Sequence, residues 1–235
     1  MSSATAAVSQ GYVRFAGCCY LLIIALGLFA ETQVRGSLIV AGDASATAAQ
    51  IGAASTLWRS GIVADLCMQL LDIPIIVLFY LLFKRVNAAL NLTATGFNLI
   101  QTAVLVANKL TLMLPLLLAG SGAYLAAFST EQRDALAYLA IQLHGYGFAI
   151  GLLFFALACV IRGYLIIQSQ FFPKILGLML GLAGVCYLVN TLALLLAPEL
   201  ADTLFPWIML PVLVGELSLS LWMIVKGVNF AEQAA

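Results

Sequence analysis

The stretch WRSGIVADLCMQLLDIPIIVLFYLL, residues 58–82, decides the fold. At about 1.5 Å of rise per residue it is long enough to cross a hydrocarbon core about 30 Å thick. Yet it carries Asp65, Gln69 and Asp72, spaced i, i+4 and i+7, which a helix gathers within roughly 60° of arc. A carboxylate facing lipid costs on the order of 3 kcal/mol or more at mid-membrane, so this stripe must face other helices or a water-filled cavity. Pro74 removes the hydrogen bond to the carbonyl of Leu70 and predicts a kink beside Asp72.

Composition agrees with that reading. Hydrophobic residues make up 64% of the chain and charged residues 9%, and the mean hydropathy is +1.10, which is more apolar surface than a water-soluble domain of this size can cover. Net charge is zero with no basic tract, so nucleic acid is not an expected partner; the lipid bilayer is. The five cysteines lie inside apolar runs without CxxC spacing, and there is one histidine, so neither a disulfide framework nor a metal site is expected, and no cofactor is implied. Nucleotide-binding loops are absent, and Gly120-Ser121-Gly122 falls short of a hydrolase elbow.

Working outward, the sequence predicts an all-α polytopic membrane protein with six spans, at about residues 13–30, 58–82, 92–119, 135–161, 174–196 and 205–225. Residues 1–12 read as a disordered tail, 13–228 as one transmembrane domain and 229–235 as a second tail. The first run lacks the charged start and small-residue cleavage site of a signal peptide and is read as a retained helix. Between the first two spans, Asp43 is placed to N-cap a short helix on the membrane surface. Arg14, Lys84, Arg85, Arg162, Lys174 and Lys226 cluster at one set of span ends, against Arg35, Arg59 and Arg133 at the other. The positive-inside rule then places both termini in the cytoplasm and the short helix on the outer face.

Depth, counted along each span, sorts the polar residues. Asp72 and Gln101 fall about 15 Å from the cytoplasmic end, and His144 and Glu216 reach a similar midplane counted from the outer end. Asp65 and Lys109 fall together about 27 Å from the cytoplasmic side, with Arg59, Gln69, Asn108 and Asn190 in the same outer layer. These depths predict a polar cavity open to the outside and floored by Asp72, Gln101, His144 and Glu216, the candidate ligand or proton site. The plainer alternatives are an Asp65–Lys109 ion pair pinning two helices and a hydrogen-bonded core histidine. Gly177, Gly181 and Gly184 predict a close helix contact, and Gly147 and Gly151 leave room beside His144 for a helix or a ligand.

Several segments in order carry a resemblance. They are Arg35-Gly-Ser-Leu-Ile-Val with Gly42-Asp43, Arg59-Ser-Gly-Ile-Val-Ala-Asp65, Leu82-Phe-Lys-Arg-Val-Asn87, His144-Gly-Tyr-Gly-Phe, Phe154-Phe155, Gly163-Tyr-Leu, Pro173-Lys-Ile-Leu-Gly177, Gly215-Glu216 and Leu221-Trp222. Together, over about residues 14–228, the chain resembles the bacterial membrane family described as domain of unknown function 4386. The resemblance implies a multi-pass architecture in a bacterial inner membrane and no particular activity.

Three functions fit these expectations. The first is binding or transport of a small solute through the outward cavity, with Asp72 and Glu216 exchanging protons and kinks at Pro74, Pro115 and Pro211 allowing gating. The second is an intramembrane enzyme acting on a lipid or isoprenoid, with Asp72, His144 and Glu216 as acid and base. The third is a structural or regulatory membrane partner. Oligomeric state has no signature in the sequence.

Overall fold

The structure is a computed structural model and describes residues 8–230; the tail assignments for residues 1–7 and 231–235 lie outside the described residues. Six helices long and apolar enough to cross a bilayer occur among them, with no strand. They are α1 (Gln10–Leu38), α3 (Ser55–Phe83), α4 (Ala88–Leu118), α5 (Thr130–Ser169), α6 (Lys174–Leu196) and α8 (Leu210–Val225, entered through a 3₁₀ turn at Trp207–Met209). Two short helices, α2 (Ala44–Ala53) and α7 (Pro198–Leu204), lie between spans.

Local chemistry sets most of the boundaries. Ser9 caps α1 through Tyr12 N (3.1 Å), Asp43 caps α2 through Ala46 N (2.8 Å), and Asn87 caps α4 through Leu90 N (3.0 Å). A capping box of Ser129 and Gln132 opens α5, and Pro173 delimits the turn that follows it. The polar N-terminal stretch is shorter than expected, because the helix already starts at Gln10, whose amide contacts the backbone of Val228 at the other end of the chain.

Two helices run past their predicted ends. The segment after residue 30 was expected to leave the membrane, but α1 continues to Leu38 through a π-helical stretch, Phe29–Arg35. Its buried Val34 packs on Gly61, where a Cβ would meet Val34 Cγ1 at 2.8 Å. Likewise Arg162, read as a loop residue marking a span end, lies inside α5, which holds its helical course to Ser169. The apolar residues Leu165 and Ile166 beyond it are fully buried, so the sequence goes on burying a helical face after the charge. At 40 residues α5 is about 60 Å long and must project beyond the hydrocarbon.

Glycine sets the tightest packing. A Cβ on Gly163 would lie 2.5 Å from Gly177 O, and one on Gly184 2.7 Å from Ala156 O, so α5 and α6 meet backbone to backbone. Gly147 is filled by a neighbour too: a Cβ there would meet the Asn108 carboxamide, so the space beside His144 holds α4 and no ligand. Of the three prolines expected to kink, only Pro74 sits mid-helix. Pro115 falls in the last turn of α4 and Pro211 in the first turn of α8, where its missing N–H costs nothing. Leu70, Leu110 and Leu196 and many other large apolar side chains point outward, as lipid contact requires.

Candidate functional site

The buried polar residues form two layers. The distal layer lies toward α2 and the start of α5. There Asp65, 2% exposed, accepts from Arg35 Nη1 at 2.8 Å and Lys109 Nζ at 3.0 Å, while Arg35 Nε also donates to Glu31 Oε2 at 2.8 Å. Lys109 stands 5.5 Å over the ring of Phe148. Beside this group Asn108 Nδ2 donates to His144 O (2.9 Å) and lies 3.1 Å from His144 Nδ1. That contact makes Nδ1 the acceptor and leaves the imidazole proton on Nε2. The π-helical turn of α1 brings in Arg35, which the sequence reading left at the loop entry.

The central layer lies nearer the chain termini. Asp72 Oδ2 accepts from Asn98 Nδ2 (3.2 Å) and Thr102 Oγ1 (3.1 Å), and Asn98 Nδ2 also donates to Gln101 Oε1 (2.8 Å). Tyr187 OH donates to Glu216 Oε1 at 3.1 Å. Tyr20, Cys159 and Glu216 stand within electrostatic reach of one another and of Asp72. The buried guanidinium of Arg162 completes the layer, stacked 5.0 Å over Phe79 and facing Asp72 as its nearest opposite charge. Asp72 is eleven residues from the end of α3, Tyr20 ten from the start of α1 and Glu216 nine from the end of α8. All three therefore lie roughly 14 to 17 Å into the bundle.

His144 does not join Asp72, Gln101 and Glu216. Its partner Asn108 is ten residues from Asn98 and six from Thr102 on the same helix, which separates the two layers by about 9–15 Å. Its depth was counted from residue 135, whereas α5 starts at Thr130 and projects outward. The open outer cavity is not seen either, since the Asp65 ion pairs fill that level. Two surface cavities, of about 480 Å³ (Phe171, Lys174, Trp222, Lys226) and about 360 Å³ (Ser45, Ile51, Pro115, Asp134), lie at opposite ends of the bundle, and none of the four expected floor residues lines them. Arg59 is exposed, Gln69 is buried with its Oε1 unpartnered, and Asn190 is half-buried outside both hydrogen-bonded groups.

What sequence reasoning missed is Arg162 with Tyr20 near it, and the hydroxyls that bond the two carboxylates, Thr102 on Asp72 and Tyr187 on Glu216. The available signal was the apolar run 164–167, which continues the helix beyond the charge.

Six apolar helices around buried charges define a polytopic membrane protein, with a charged interior held at mid-bundle depth. Residues 15–227 match the family model described as Domain of unknown function (DUF4386), and the chain belongs to that family. No curated protein and no solved structure matches it.

Proposed function

We propose that this protein binds, and moves across the bacterial inner membrane, a small polar solute held in the central layer, with a proton exchanged at Asp72 or Glu216. The observation that carries the reading is the contrast within that layer: two carboxylates lie at mid-bundle depth with a guanidinium near Asp72, yet among the described residues Arg162 Nε and Nη2, Asn98 Oδ1 and, one turn from Glu216, Ser220 Oγ are buried without partners. Groups so placed are costly unless something occupies them. Pro74 leaves the Leu70 carbonyl of α3 free beside Asp72, and Tyr12 OH donates to Pro74 O at 3.0 Å, so the one mid-helix break adjoins the site. Orientation follows the basic residues: with Arg162 counted as interior, Arg14, Lys84, Arg85, Lys174 and Lys226 still outnumber Arg59 and Arg133, which supports cytoplasmic termini.

The distal layer favours a structural role for its own members, because the Asp65 carboxylate has a cation on each side and the His144 ring is hydrogen-bonded. The acid–base trio of an intramembrane enzyme is not assembled, with His144 in the other layer.

The test is native mass spectrometry of the detergent-purified chain and identification of what leaves it on denaturation. A defined polar molecule that leaves the wild type, and whose retention changes in Asp72→Asn and Glu216→Gln, is the expected result. An empty wild type whose variants only melt lower overturns the reading in favour of a structural interior.

A further inference from the structure

Arg162 is 3% exposed and reaches the centre of the bundle, yet among the described residues it forms no ion pair and its Nε and Nη2 donate to nothing. Those two nitrogens are one edge of the guanidinium, the fork that matches the two oxygens of a carboxylate. Phe79 covers the flat face of the group, which fixes the plane of that edge. Asp72, the nearest opposite charge, spends Oδ2 on Asn98 and Thr102, while Oδ1 has no hydrogen-bond partner among the described residues. A fork without an acceptor and a carboxylate oxygen without a donor thus lie within electrostatic reach of each other, the two ends that one bridging species would join.

We propose that the central layer binds a small organic carboxylate, its two oxygens on the Nε–Nη2 edge of Arg162, and that Asp72 takes one proton from solvent as the ligand enters. This rests on the reading of the layer as a solute site and names the class of solute. The proton follows from charge. Around Asp72 are Arg162 and Cys159 from α5, Asn98 and Thr102 from α4, Tyr20 from α1, and Glu216 from α8 with Tyr187 of α6 behind it. Arg162 is the one cation among them, so a second anion on it is repelled by ionised Asp72 and Glu216. A proton on Asp72 Oδ1 removes the nearer repulsion and supplies the donor that the ligand's second lone pairs lack, while Oδ2 keeps its existing bonds.

The experiment is thermal unfolding of the full chain in lipid nanodiscs against propionate, lactate and alanine, with propionamide and propylamine as controls, from pH 5 to pH 8. Carboxylates should raise the melting temperature and the two controls should not. The apparent affinity should rise as the pH falls, approaching tenfold per unit where Asp72 is ionised in the empty protein and levelling off where it is not, as uptake of one proton requires. Arg162→Lys, which keeps the charge and loses the fork, should weaken binding by about tenfold or more, and Asp72→Asn should bind with no pH dependence. No response to any carboxylate, or equal response in Arg162→Lys, overturns the proposal. If native mass spectrometry instead finds a solute without a carboxylate that Asp72→Asn loses, the solute site stands and the carboxylate assignment falls.

Discussion

The two polar layers are built from similar residues and solve the problem of buried charge in opposite ways. In the distal layer one carboxylate, Asp65, faces two cations at 2.8 and 3.0 Å, and the neighbouring imidazole and carboxamide satisfy each other. In the central layer Asp72 has one guanidinium near it but beyond ion-pair distance, Glu216 has the Tyr187 hydroxyl, and four buried polar atoms among the described residues are left over. A closed network of this kind holds helices in register, while an open one leaves buried polar groups to be completed, which is the basis of the solute site proposed above. On that proposal the difference teaches where to look in a membrane bundle: the completeness of a polar cluster, more than its depth, is what distinguishes the two layers.

The comparison breaks first at Asp65. Asp65→Ala leaves Lys109 a buried cation without its counter-charge, with Arg35 beside it still paired to Glu31, so the loss of stability should be about 3–5 kcal/mol, read by unfolding in mixed micelles. A loss below about 1 kcal/mol would mean that water already screens the distal layer, and the anchor role would fail.

A second, smaller effect tests what holds the central layer in place. Gly163 faces the backbone of Gly177 and Gly181 one residue beyond Arg162, so Gly163→Val must push α5 from α6. Overpacking of this kind costs about 1–3 kcal/mol. It should also weaken ligand binding, since Arg162 moves with its helix. A variant that melts lower but binds normally would uncouple the two.

In the distal layer His144→Ala should cost only about 1–2 kcal/mol, because Asn108 Nδ2 loses the ring but keeps the backbone carbonyl of residue 144. Binding in the central layer should be unchanged. Loss of binding with intact folding would put the histidine back among the site residues.

The pattern of hits and misses in the sequence has a physical cause. The six helices and the short α2 were legible because hydropathy and an Asx cap are local signals. The 3.0 Å approach of Asp65 to Lys109 was legible because both residues were counted from the two span ends, about residues 82 and 92, that flank one short basic turn at Lys84-Arg85. His144 was misplaced because α5 outruns its predicted span at both ends, and no count from a hydropathy edge gives depth in such a helix. Arg162 was misread because a cation after an apolar run has the same appearance at an interface as inside a bundle; only the partner, Phe79 and Asp72 on another helix, tells the two apart. Arg35 was hidden by the π turn, which no simple period describes.

The smallest effect is the most discriminating, because one substitution can be made in both layers. Asp72→Asn keeps an oxygen for the bonds from Asn98 and Thr102 and breaks no ion pair, so stability should change by less than about 1 kcal/mol. Asp65→Asn is the same chemical change, yet it removes the counter-charge from two cations already in contact and should cost at least about 2 kcal/mol. Unfolding free energies for the pair, measured in one detergent, give the difference directly. If the two variants lose equal stability, the charge on Asp72 is as structural as that on Asp65, and the central layer has no capacity held in reserve for a ligand.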